Sequence, residues 1–174
     1  MIPPLATLRT RGLALLGAVS MYRLVLYCLA ALAVIAFVLS FFGVLVPSPW
    51  ELLVTVAVLV VVCVGVDWVA HRILRRPPHL ESSLATAGIL VFVLRPEIEP
   101  IALGGPALAA LLATLSKYVV AWRGRHILNP AAFGAGIVTL TPLASSAWWV
   151  GTPLLAIPVA VLGMLVLWRT EKVR

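Results

Sequence analysis

Two long apolar runs, almost free of charge, constrain the fold of this chain more than any other feature of its sequence. The runs are Tyr22–Val46 and Leu52–Val66, and their lengths are close to the ~20 residues that a bilayer-spanning helix needs. Of the 174 residues, 63% are hydrophobic and 11% are charged, whereas a soluble domain is about half apolar and about a quarter charged. The sequence therefore predicts an all-α integral membrane protein with room for one compact helical bundle.

The chain divides into about six apolar segments, separated by proline-rich or basic stretches. They are Tyr22–Val46, Glu51–Leu74, Leu80–Leu94, Ile101–Trp122, Asn129–Leu143 and Ser146–Trp168. The third and the fifth are short and flanked by prolines, so each would rise only about 22 Å against a hydrocarbon core of roughly 30 Å. Broken helices persist in lipid where protein or a polar cavity covers their open backbone, and in transporters such a pair indicates a buried site. We therefore expect four full spans around two short, discontinuous half-helices.

The basic residues predict that both termini are cytoplasmic. With the N-terminus inside, six crossings place all but one of the 13 Lys and Arg residues on the inner side, as the positive-inside rule requires. The exception is Arg95, which stands near Glu97 and Glu99. Membrane topology thus explains the net charge of +7, and we expect no nucleic-acid partner. Residues 1–20 are predicted to be a cytoplasmic lead-in, and residues 21–174 the transmembrane domain.

Polar residues open the first short segment, in the stretch "ESSLATAG". Ser82 or Ser83 can cap a helix here, and Thr86 adds a second hydroxyl one turn later. Exposed amides at a helix N-terminus favour an anion such as phosphate. The alternative is that these residues only cap the helix and allow close helix packing, as small residues often do in membranes.

A basic cluster opens the second short segment, in the stretch "WRGRHILNPAAFG". Asn129 can cap the helix, with a proline at its favoured first position. Arg125 and His126 precede this cap, where a helix N-terminus attracts negative charge, and the alternative is a snorkelling cluster that sets topology. Gly134 and Gly136 allow another helix to approach closely.

One carboxylate, Asp67, lies near the inner end of the second segment. A carboxylate inside a membrane is a functional hypothesis by default. A local ion pair with His71 or Arg72 is the alternative that the spacing also allows. Cys28 and Cys63 lie inside apolar runs, which is typical of buried thiols.

The pairing of "ESSLATAGILVFVLRP" with "LSKYVVAWRGRHILNPAAFG" resembles the NqrB/RnfD family. This family comprises the homologous membrane components of the sodium-translocating NADH:quinone reductase and of the Rnf electron-transport complex. The resemblance extends from about Tyr22 to Trp168. Family members contain two inverted repeats of such a unit, in a fold shared with urea transporters, and this chain resembles the first repeat. The resemblance therefore implies either a piece of a longer protein or a homodimer of single repeats.

The resemblance also implies a function in the bacterial inner membrane. The chain would be a component of an oxidoreductase of the NADH:quinone or ferredoxin:NAD type, not catalytic alone. It would pass electrons between a cytoplasmic reductase and a second redox carrier, coupled to ion translocation. Its partners would be membrane lipid, other electron-transport subunits or a fused cytoplasmic reductase domain.

The cofactor that the resemblance implies is a flavin, either FMN or riboflavin. The family's attachment motif resembles Asp-x-x-Ser/Thr-Gly-Ala-Thr, but Leu80 and Leu84 stand here in place of Asp and Gly, so we expect non-covalent binding. The residues assigned to the flavin are Ser82, Ser83, Thr86, Lys117, Arg125, His126 and Asn129. The alternative functions are a small-solute channel or transporter that uses the same half-helices, and a membrane anchor for a fused reductase.

Overall fold

A computed structural model describes residues 20–75, 80–122, 125–144 and 146–171. Its elements are α1 (Met21–Phe41), α2 (Pro49–Leu74), α3 (Leu80–Val93), α4 (Gly104–Val119), β1 (Ala121–Trp122), β2 (Arg125–His126), α5 (Pro130–Thr139) and α6 (Pro153–Glu171). The two strands form a short antiparallel hairpin. The other regular elements of the described chain are helices. Each of the six helices lies in one of the six predicted apolar segments, give or take a few residues at its ends.

The helices α1 and α2 are the two in the described chain that are long and apolar enough to cross a membrane. They contain 21 and 26 residues, each with a mean hydropathy of 2.7. The hydroxyl of Ser20 caps α1 by accepting from the Arg23 amide. A reciprocal capping box between Ser48 and Glu51 begins α2, with Pro49 at its first position, where the missing N–H costs nothing.

Several helices are shorter than the sequence predicted, α4 and α6 among them. α4 has 16 residues, a rise of about 24 Å, because residues 101–103 form a turn and the hairpin takes up the chain after Val120. α6 begins at Pro153 rather than at Ser146, because residues 146–149 are used to cover the end of α3. The helix propensity of an apolar run does not show where tertiary contacts will end its helix.

The short helix α3 is the centre of the bundle and contacts α1, α2, α4 and α5. Its C-terminal carbonyls, which a helix leaves unbonded, accept from the segment before α6. The Val93 carbonyl accepts from the Ala147 and Trp148 amides at 3.0 and 3.3 Å, and the Val91 carbonyl accepts from Trp149 Nε1 at 2.8 Å. The short helix α3 therefore ends against protein groups that bind its last carbonyls.

The second short helix, α5, packs closely against α4 through Gly134. A Cβ at Gly134 would collide with the Ala109 carbonyl oxygen and lie 2.8 Å from the Ala113 Cβ. The prediction of close approach is confirmed at Gly134. It is wrong at Gly136, which is exposed and has no atom near its Cβ position, because Gly136 lies on the other side of the ten-residue helix.

The direction of α4 fixes where the ends of the short helices lie. Lys117 in the last turn of α4 meets Ser82 at the start of α3. At the other end, Gly105 lies against the Leu143 carbonyl, just after α5. Both short helices therefore run antiparallel to α4, and both begin at the end of the bundle where α4 stops.

Candidate functional site

Buried and half-buried polar side chains gather where the C-terminal halves of α2 and α4 meet the N-terminal half of α3. We call this cluster the polar junction. Its members are Cys63, Asp67 and His71 on α2, Ser82, Ser83 and Thr86 on α3, and Thr114, Lys117 and Tyr118 on α4. Such groups are costly to bury without partners, so each one calls for an account of its contacts.

Lys117 joins α4 to the Ser/Thr stretch at the start of α3. Its side chain is 7% exposed, and Nζ donates to the Ser82 carbonyl oxygen at 3.2 Å. The Thr86 hydroxyl donates to the same carbonyl at 2.8 Å. Two predicted site residues, Thr86 and Lys117, therefore share the main-chain carbonyl of a third, Ser82, and Ser83 is the next residue in the chain.

Asp67 is held by two neighbours, one of which the sequence did not indicate. Tyr118 Oη donates to Asp67 Oδ1 at 2.5 Å, and His71 Nε2 lies 3.3 Å from Asp67 Oδ2. The local pair with His71 is confirmed, whereas Arg72 instead stacks over the Trp68 ring, 5.0 Å from its centroid. Tyr118 lies 51 residues from Asp67 in sequence, so no local spacing could have found it.

No carboxylate of the described chain is in contact with the Lys117 ammonium group. Asp67 is close enough to interact electrostatically, but the ion pairs of the described residues do not include Lys117. Both Asp67 oxygens are already engaged, by Tyr118 and His71. The direct partner of the ammonium is a main-chain carbonyl, which carries no net charge.

Two hydroxyls of the polar junction lack an oxygen or nitrogen partner. Ser83 and Thr114 are both 0% exposed, and neither hydroxyl has such a partner among the described residues. The Cys63 thiol lies close to Thr114, but a thiol is only a weak hydrogen-bonding group. Thr114 precedes Lys117 by three residues on α4, so the two share a helix face. Sequence reasoning missed Thr114; a threonine three residues before a lysine in an apolar segment was the available signal.

The predicted helix caps had different outcomes. Ser82 and Ser83 do not cap α3, because the helix already includes Leu80 and both serines lie in its first turn. Asn129 does cap α5, accepting from the Ala131 and Ala132 amides at 3.0 and 3.4 Å. Its exposed side chain is thereby occupied, and it makes none of the described contacts of the polar junction.

The two basic residues before this cap are described only by their backbone. Arg125 and His126 form β2 and pair with Trp122 and Ala121. Their side chains fall outside the described part of the chain, so their assignment to the flavin stays a prediction. No group of three metal-ligating side chains occurs among the described residues.

A separate cavity of about 530 Å³ lies between α1, α3 and the start of α6. Leu29, Ile89, Phe92 and Trp148 are among its lining residues, which are almost all apolar. It shares no residue with the polar junction. We therefore assign no part of the polar site to it.

Comparisons with protein-family models, with curated proteins and with solved structures find no match for this chain. The described residues define its class by their fold and polar cluster: six helices, two of them long and apolar enough to cross a membrane, with the polar junction between three helices.

Proposed function

We propose that this chain is a membrane component of a flavin-dependent electron-transport complex, either as a separate polypeptide or as a domain. The observation that carries the proposal is the contact between Lys117 and Ser82. It brings Lys117, from the second of the two stretches that resemble the flavin-bearing NqrB/RnfD family, into contact with the Ser/Thr stretch of the first. The electrons would pass between a cytoplasmic reductase and a second carrier, coupled to ion translocation.

The donor set of the polar junction suits the polar groups of a flavin. When bound, the flavin supplies the redox chemistry, which protein side chains lack. Lys117 offers a buried positive charge that stabilises negative charge on the reduced ring or on a phosphate. Ser83 and Thr114 offer hydroxyl donors that have no described oxygen or nitrogen partner. The N-terminus of α3 adds the favourable end of a helix dipole.

The proposal places the bundle in the bacterial inner membrane with both termini cytoplasmic. All six segments would cross, α1, α2, α4 and α6 as continuous spans, and α3 and α5 as the half-helices of the two discontinuous segments in a single inverted-repeat unit. The polar junction would then lie toward the cytoplasmic side, where a soluble reductase can deliver electrons. The covered C-terminal end of α3 supports this arrangement, since a lipid-exposed helix end would leave its carbonyls unbonded.

A solute channel built on the same two half-helices is the alternative, and one experiment separates the two. The protein is purified in mild detergent with FMN or riboflavin supplied, passed through a desalting column, and its visible spectrum recorded before and after acid precipitation. We expect a flavin band that moves to the supernatant, because the attachment motif is incomplete. A flavin band that stays in the pellet would revive Thr86 as a covalent site. A colourless protein that also conducts small solutes in liposomes would contradict the electron-transport proposal.

A further inference from the structure

We propose that the polar junction contains an oxyanion pocket of the phosphate type, built by Lys117, Ser83 and Thr114. The pocket would bind the phosphate group of the flavin. That identification of the ligand rests on the proposed function. The pocket itself rests on the charge and the hydrogen-bonding capacity that these three residues leave unsatisfied. Thr114 is the residue that this inference adds to the site.

The first argument concerns charge. An ammonium buried to the extent of Lys117 is stable when paired and hydrogen-bonded, and costly otherwise. Its one direct partner in the described chain is the Ser82 carbonyl, and its other N–H groups have none there. The last turn of α4 favours a cation at this position, but it supplies no counter-charge of a full unit. A bound oxyanion supplies both that charge and several acceptors.

The second argument concerns the two hydroxyls. Inside an apolar helix, a Ser or Thr hydroxyl commonly donates to the carbonyl three or four residues earlier. Thr86, Ser116 and Thr139 do so at 2.7 to 2.8 Å. Ser83 and Thr114 do not, although both are 0% exposed. Their donors remain available to a ligand that offers strong acceptors.

The third argument concerns position. Ser83 directly follows the residue whose carbonyl binds Lys117, and Thr114 lies one turn before Lys117 on the same face of α4. The N-terminus of α3, where unbonded amides favour anions, begins three residues before Ser83. Asp67 is held on the α2 side by Tyr118 and His71. The three donors therefore belong to the contacting ends of α3 and α4, where α3 begins.

The test is phosphate binding by the purified full chain in mild detergent, followed as the rise in melting temperature on adding inorganic phosphate. The variants are Thr114→Val, Ser83→Ala and Lys117→Met. Ser40→Ala is the matched control, because Ser40 also has a buried hydroxyl without a partner among the described residues but lies in the last turn of α1. FMN, riboflavin and a short-chain phosphatidic acid are then compared as ligands, since they distinguish a flavin phosphate from a lipid headgroup.

We expect phosphate to stabilise the wild type and Ser40→Ala, but not Lys117→Met. Thr114→Val and Ser83→Ala should bind phosphate about tenfold more weakly or worse, since each loses a hydrogen bond to a charged group. Without ligand, Thr114→Val should melt no lower than the wild type, because it removes a buried hydroxyl that had no strong partner. This variant keeps the test valid even if Lys117→Met folds poorly.

The outcomes separate the pocket from the flavin. If phosphate stabilises none of the proteins and FMN binds no better than riboflavin, the pocket is wrong even where flavin binding itself is seen. If phosphate binds as expected but neither flavin does, the pocket stands and the proposed function fails. Equal phosphate binding by the wild type, Thr114→Val and Ser83→Ala also contradicts the pocket.

Discussion

At the scale of single residues, the hydrogen bond between Tyr118 and Asp67 connects two helices of the polar junction. It joins α4 to α2 through a buried carboxylate with a donor distance of 2.5 Å. His71 occupies the other oxygen of the same carboxylate. Both oxygens of Asp67 are thus engaged by groups other than Lys117, although Asp67 is close enough to interact with the lysine electrostatically.

The substitution Tyr118→Phe removes this donor and little else. We expect the free energy of unfolding to fall by about 1.5–3 kcal/mol, because a hydrogen bond to a charged group is lost inside the protein. Tyr27→Phe is the control, since Tyr27 is 59% exposed, and it should change stability by less than about 0.5 kcal/mol. Unfolding curves of both variants in one detergent make the comparison. Equal losses in the two would show that the Tyr118 hydroxyl is not a structural tie.

At the scale of helices, the contact between α4 and α5 depends on the missing side chain of Gly134. The neighbouring carbonyl of Ala109 belongs to a helix backbone, which cannot shift as a flexible side chain can. The same ten-residue helix carries Gly136, which faces open space. The two glycines therefore provide a matched pair.

Gly134→Ala should destabilise the protein by about 1–3 kcal/mol through overpacking. Gly136→Ala should leave stability unchanged or raise it by up to about 1 kcal/mol, because alanine is the better helix former. Thermal unfolding of the two variants, with the wild type beside them, measures the difference. If Gly134→Ala is as stable as Gly136→Ala, then α4 and α5 do not approach as described.

The helices also show what the sequence could and could not predict. Six apolar segments and the Asn129 cap were predictable, because hydropathy and capping act locally. The start of α6 and the true end of α4 were not, since the chain there serves α3 and the hairpin instead. Lys117 was assigned to the site through the family resemblance, but its contact with Ser82 spans 35 residues. A contact between residues so far apart in the chain produces no local sequence pattern.

At the scale of the whole molecule, the proposed orientation rests on the inward bias of the basic residues. It places the loop between α2 and α3 on the cytoplasmic side and the loop between α3 and α4 on the outer side. The 44% exposure of Ile98 makes that outer loop suitable for labelling. The two native cysteines, Cys28 and Cys63, would first be replaced by alanine.

In this background, a membrane-impermeant maleimide added to intact cells should label Ile98→Cys. It should label His79→Cys only after the cells are opened, since residue 79 lies in the cytoplasmic loop. A cysteine placed at residue 172 should behave as the one at residue 79 does, because both termini are expected inside. Labelling of Ile98→Cys and His79→Cys from the same side would overturn the orientation.

The most direct test of the central claim is the affinity for flavin of the wild type and of Lys117→Met, measured by quenching of FMN fluorescence. Arg95→Met is the control, because it removes an exposed cation from the opposite end of α3. We predict that the wild type and Arg95→Met bind FMN with equal affinity. Lys117→Met should bind it about tenfold more weakly or worse, since a charge-assisted contact contributes about 1.5–3 kcal/mol. FMN binding that is the same in all three proteins, or absent from the wild type, would contradict a flavin site at the polar junction.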